Sequence, residues 1–116
     1  MTVLGYTLVS SDPHDLAAQT ERLRTLGADN HRIFQDRPGT RHGLTRALAL
    51  TRPGDILATP ALDRLAPSPE ALHDLTAELI DHEITLDIGG IRLDPANHDG
   101  HTLLDAYLTA LGLHGS

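Results

Sequence analysis

Serine and arginine recur where the apolar runs of this chain end. Ser10 and Ser11 follow the apolar stretch 3–9. Arg37 and Arg41 fall in the stretch "DRPGTRHG" behind a second apolar segment, and Asp63 and Arg64 follow a third. A serine hydroxyl accompanied by several guanidinium groups, without a histidine–aspartate relay, suits attack on a phosphate. Arginine forks match phosphate oxygens. Fixed positive charge also lowers the cost of a developing alkoxide and of a charged transition state. Each residue has a plainer reading as well. Ser10 is a common turn or helix-cap residue. Asp63 and Arg64 suit a local ion pair, Arg41 a solvated loop, and Gln19 a helix surface.

Metal chemistry finds less support. The chain has no cysteine and eight histidines. His98 and His101, with Asp94 and Asp99, suggest a small nitrogen–oxygen site. Their spacing straddles an expected helix start and no thiolate joins them, so no metal is expected.

The elements that must position the serine and arginines follow from local pattern. Residues 3–9 are short, partly β-branched and bounded by a polar turn, as in a buried strand. Asp12 is a candidate N-cap with Pro13 at the first helical position. Leu16, Leu23 and Leu26 then fall at helical spacing, and Gly27 is a natural stop. "HRIFQD" is a second strand, "LTRALALTR" a helix stopped by Pro53-Gly54, and "DILATP" a third strand. "LDRLAPS" is a connection or short helical turn. Ser68 caps a helix whose apolar stripe is Leu72, Leu75, Leu79 and Ile80. "ITLDIGG" is a fourth strand and "IRL" a candidate fifth. Asp99 caps a last helix with Leu103, Leu104, Tyr107, Leu108 and Leu111 on one stripe.

Strand and helix alternate. The expected fold is α/β, three-layered, with a mostly parallel four- to five-stranded sheet and helices on both faces. In such sheets the site lies beyond the carboxyl ends of the strands. Ser10, the loop with Arg37 and Arg41, and the "LDR" stretch would meet there.

Those residues carry a resemblance to the catalytic domain of the serine recombinases, the resolvase/invertase group. Tyr6-Thr7-Leu8-Val9-Ser10-Ser11 resembles the family's opening Tyr-Ala-Arg-Val-Ser-Thr. Gln19 matches a helical glutamine facing the site. Arg41-His42-Gly43-Leu44 matches the Arg-x-Gly-Leu that ends a mobile loop. "RPGDIL", residues 52–57, looks like the lead-in to the third strand. Leu62-Asp63-Arg64-Leu65-Ala66-Pro67 resembles Leu-Asp-Arg-Leu-Gly-Arg. The resemblance implies a resolvase-like fold and site-specific DNA strand exchange. It makes Ser10 the nucleophile that becomes linked to a 5′ phosphate, Arg64 and Arg41 the phosphate holders, and Asp63 the group that orients Arg64. Tyr6 and Gln19 would line the substrate site, and no cofactor or metal is implied.

The chain departs from the pattern. Leu8 and Pro67 stand where the family has arginines, and the loop before Arg41 is short. The sequence, a single domain over 1–116, ends before the Glu-Arg segment of the family's long C-terminal helix and before any helix-turn-helix DNA-binding domain. The expectation is therefore a truncated, degenerate member with weak or no activity, a pseudoenzyme by descent. The alternative is a non-enzymatic dimerisation or regulatory module with the same fold, and a third reading is a site for a small phosphorylated ligand.

Charge bears on partners. The formal net charge is −7, yet residues 1–67 hold eight arginines against seven acids, while residues 68–116 hold Arg92 against nine. A domain that binds DNA alone shows a basic face. Here DNA is the partner by resemblance, bound weakly in isolation, and residues 99–113 are the candidate surface for a homodimer or protein partner. No apolar run approaches a membrane span and no secretory pattern opens the chain, so a cytoplasmic location is expected.

Overall fold

The computed structural model describes residues 2–94 apart from Pro38 and Pro67. The expected helix from Asp99, the 99–113 surface and the His98–His101 pair lie outside the described residues. Among the described residues five strands form one sheet: β1 (Val3–Leu8), β2 (Ile33–Asp36), β3 (Ile56–Thr59), β4 (Thr85–Ile88) and β5 (Ile91–Leu93). Their order is β2-β1-β3-β4-β5. The first four run parallel, and β5 returns antiparallel to β4 with Ile88 opposite Ile91. The mostly parallel α/β sheet is thus the expected one, and the short "IRL" segment is its edge.

Among the described residues three helices cover it: α1 (Pro13–Thr25), α2 (His42–Leu50) and α3 (Pro69–Asp81). The period-two alternation of the strands assigns the faces. Leu4, Tyr6, Leu57 and Leu86 point to one face and pack with Leu44 and Leu48 of α2 and with Leu72, Leu75 and Leu79 of α3. Val3, Ile33 and Ala58 point to the other and meet Leu23 of α1. Gly5 lets α1 come close, because a Cβ there would stand 3.1 Å from both Ala28 Cβ and Leu23 Cδ1. Ile80, placed on the apolar stripe of α3 by its spacing, is instead exposed. It stands about 100° around the helix from Leu79, past the edge of the buried face.

Helices α1 and α3 begin as their sequences dictate. Asp12 Oδ1 accepts the His14 N–H at 2.9 Å and Ser68 Oγ accepts the Ala71 N–H at 3.2 Å, each with proline at the first turn. Helix α2 begins two residues before the expected Leu44, and its N-cap residue, Arg41, makes no side-chain cap. Two of its orphan first-turn donors, the Gly43 and Leu44 N–H groups, are satisfied by Asp36, from the end of β2. Among the described residues no helix is long and apolar enough to cross a membrane.

Candidate active site

Parallel pairing puts the ends of β1, β2, β3 and β4 on one edge. The chain leaves β1 for β2 on one side and returns to β3 on the other. The crevice between the ends of β1 and β3 is therefore the topological switch point, where open α/β sheets place ligands. Ser10 follows β1. Arg64 closes the 3₁₀ turn Leu62–Arg64 that follows β3. The two meet there through a third residue. Asp15 Oδ2 accepts the Ser10 backbone N–H at 2.8 Å and an Arg64 Nη1–H at 2.7 Å. Arg64 Nη1 also donates to Leu8 O at 3.0 Å. Both contacts hold one nitrogen of the guanidinium, so the fork is anchored at a single corner.

Asp15 stands on the first turn of α1 because Asp12 and Pro13 fix where that helix starts. Its carboxyl is held down at about 2, first by the Arg64 hydrogen bond and then by the Ser10 N–H, against a desolvation that acts the other way. One turn later, Gln19 Nε2 faces Asp15 Oδ1 at 3.4 Å. Gln19 is only 9 % exposed, and its Oε1 has no hydrogen-bond partner among the described residues. Gln19 is thus an inward-facing residue rather than a surface one.

The Ser10 side chain is exposed, and its Oγ accepts the Asp12 N–H at 3.2 Å. The serine therefore serves the turn, as its plainer reading has it, while its hydroxyl stays open to solvent. Ser10 lines a cleft of about 400 Å³ whose other wall carries Asp36, Arg37 and Thr40.

Arg41 is brought to the same edge but not to this cleft. It lines a separate, mostly apolar cavity of about 190 Å³ with Tyr6, Leu8, Leu44 and Leu65. Its Nη2 lies 3.9 Å from Glu78 Oε2 on α3, an exposed and weak pairing. Asp63 is exposed and forms no ion pair among the described residues. The carboxylate on Arg64 is Asp15, 49 positions away, and not its chain neighbour.

Tyr6 is a core residue, 1 % exposed. Its hydroxyl donates to Asp36 Oδ2 at 2.8 Å. Asp36 also accepts Gly43 N–H at 2.8 Å, Leu44 N–H at 3.0 Å and Thr40 Oγ1–H at 3.2 Å. Burial alone would raise the Asp36 carboxyl, but these donors outweigh it and hold the group below its ordinary value. Burial, then the hydrogen bond to Asp36, push the Tyr6 phenol well above its own. Tyr6 thus acts through Asp36 on the N-terminus of α2 and the loop that carries Arg41.

Asp15 and Asp36 are the organising residues that the sequence does not announce. The available signals are thin: a carboxylate four positions before Gln19, and one at the last residue of a strand. Among the described residues no three of His, Asp and Glu gather as a metal site would need.

No curated protein matches the chain. The family model described as the resolvase N-terminal domain matches residues 3–109, nearly the whole sequence. A mostly parallel α/β sheet agrees with that match, and the chain belongs to the resolvase family, as a serine recombinase catalytic domain.

Proposed function

We propose that this domain handles a DNA phosphodiester at the Ser10–Arg64 crevice with strongly attenuated strand-exchange chemistry. The observation that carries the reading is the meeting of Ser10 and Arg64, 54 positions apart in sequence, on one carboxylate oxygen. In the proposed step Ser10 Oγ gives up its proton and attacks phosphorus, the bond to the 3′ oxygen breaks, and in net terms the hydroxyl proton passes to that oxygen. The serine keeps the 5′ phosphate. Arg64 supplies the fixed donor for the phosphoryl oxygens, and Arg41 would join only by leaving Glu78.

Attenuation follows from the donors. Leu8 and Pro67 offer no charge, and proline has no backbone N–H either. Loss of one preorganised donor costs about 100- to 1000-fold. Two such losses, allowing for non-additivity, put the rate on the order of 10⁴-fold below a full site.

The pairing of Arg41 with Glu78, away from Ser10, favours the second reading, a non-enzymatic interaction module with the resolvase fold. A suicide duplex that traps serine-linked DNA on a denaturing gel separates the two. Trace, slowly accumulating adduct that vanishes in Ser10→Ala supports the attenuated enzyme. No adduct with either chain supports the module. Rapid Ser10-dependent adduct would show that Arg64 and Arg41 suffice, and attenuation would be wrong.

A further inference from the structure

Asp15 holds the two donors through which Ser10 and Arg64 meet. Its Oδ2 takes two donors at once, the neutral Ser10 N–H and the cationic Arg64 Nη1–H, at 2.8 and 2.7 Å. On the reading of Ser10 and Arg64 as a phosphate site, those are the donors an approaching anion would use. The pair is partly shielded, with 30 % of the Arg64 side chain and 16 % of the Asp15 side chain exposed. While it persists, Arg64 brings no net positive charge to Ser10.

A second observation points to the same spot. Gln19, nine-tenths buried, directs its Nε2 at the other Asp15 oxygen and leaves its own Oε1 without a partner among the described residues. A buried amide oxygen left unpaired is costly. Here that amide contributes to holding the carboxylate in place.

We propose that Asp15 is a specificity-determining residue of this site: a built-in counter-anion that excludes small free phosphates and yields only to a phosphodiester held by the rest of a polymer. The inference rests on the reading of Ser10 and Arg64 as a phosphate site. A tethered carboxylate competes at a high effective concentration, because its ordering cost is already met by the fold. A free anion offers the same hydrogen bonds and loses its own translational freedom. A polymer engaged elsewhere on the domain offsets the displacement. Rotation of Asp15 out of the crevice leaves α1 intact, since the cap is Asp12 and not Asp15.

The test is a titration of the full chain with inorganic phosphate, followed by NMR at the Ser10 amide. The wild type should show no saturable shift in the low millimolar range. Asp15→Asn should bind about three- to fivefold more tightly, the gain that losing an ion pair of this exposure converts to. Asp15→Ser, too short to reach Arg64, should show the same gain. Adding Arg64→Ala to either should abolish it. Asp12→Asn removes a neighbouring charge that contacts His14 and not Arg64, and should change affinity less than about twofold. An equal gain in Asp12→Asn would reduce the effect to bulk charge and overturn the proposal. Arg64-dependent binding by the wild type as tight as by Asp15→Asn would overturn the counter-anion role and leave the phosphate-site reading standing. Absence of binding in every variant would overturn both.

Discussion

Removing the Asp36 carboxylate should cost more than any other single polar change in the described part of the domain. Asp36 is 6 % exposed and accepts four hydrogen bonds, from Tyr6, Thr40, Gly43 and Leu44. Asp36→Ala leaves the buried Tyr6 hydroxyl without its acceptor, at about 1–3 kcal/mol. It also uncaps α2, at about 0.5–2 kcal/mol, because Arg41 makes no substitute cap. The terms share partners and do not add fully, so the expected loss is about 2–4 kcal/mol, a large part of the roughly 5–15 kcal/mol of a domain. Tyr6→Phe removes one donor and keeps the helix cap, so it should cost about 1 kcal/mol. Urea unfolding of both single variants and the double variant gives the coupling directly. The double variant should be less destabilised than the sum of the singles by about 1 kcal/mol, with unchanged m-values. An Asp36→Ala loss below about 1 kcal/mol, or strict additivity with Tyr6→Phe, would refute the assignment of Asp36 as the joint between β1, β2 and α2.

Four further outcomes follow, three from the same contacts and one from the charge. Gly43→Ala should destabilise by at least about 2 kcal/mol in chemical unfolding, because a Cβ at that position overlaps the Gln35 carbonyl and β2 cannot yield without disturbing β1. Acid should weaken the fold between about pH 4 and pH 2. Asp15 and Asp36 are depressed from 3.8, Asp15 to about 2, so their contribution is intact above pH 4 and lost as pH falls through their folded values. Asp15→Asn should flatten part of that slope in circular dichroism melts. Alkali should also weaken the fold, through Tyr6, whose raised phenol contributes below pH 10 and loses that contribution as pH rises beyond it. Tyr6→Phe should remove this alkaline loss. With a net charge of −7, the chain should bind duplex DNA no more tightly than about 10⁻⁴ to 10⁻⁶ M at physiological salt by fluorescence anisotropy, and sequence-dependent submicromolar binding would contradict that.

The sequence by itself determined the features governed by short-range pattern. Asp12-Pro13 and Ser68-Pro69 mark helix starts, and Gly27 at φ +96 marks a helix end, because caps and turns act within a few residues. Alternation of strands and helices determined a mostly parallel sheet, and with it the edge on which Ser10 and Arg64 would lie. Tertiary structure alone decided the partners of the charged groups. Arg64 pairs with Asp15 rather than with adjacent Asp63, since the strand order β2-β1-β3 brings the start of α1 against the turn after β3. Asp36 caps a helix that begins beyond an intervening loop, and Tyr6 is buried on that carboxylate because β1 and β2 pair in register at Tyr6 and Phe34. Arg41 turns to Glu78 because α2 and α3 share a face of the sheet. Charges carry no period, so their partners are set by which strand ends become neighbours, and that depends on packing the whole chain.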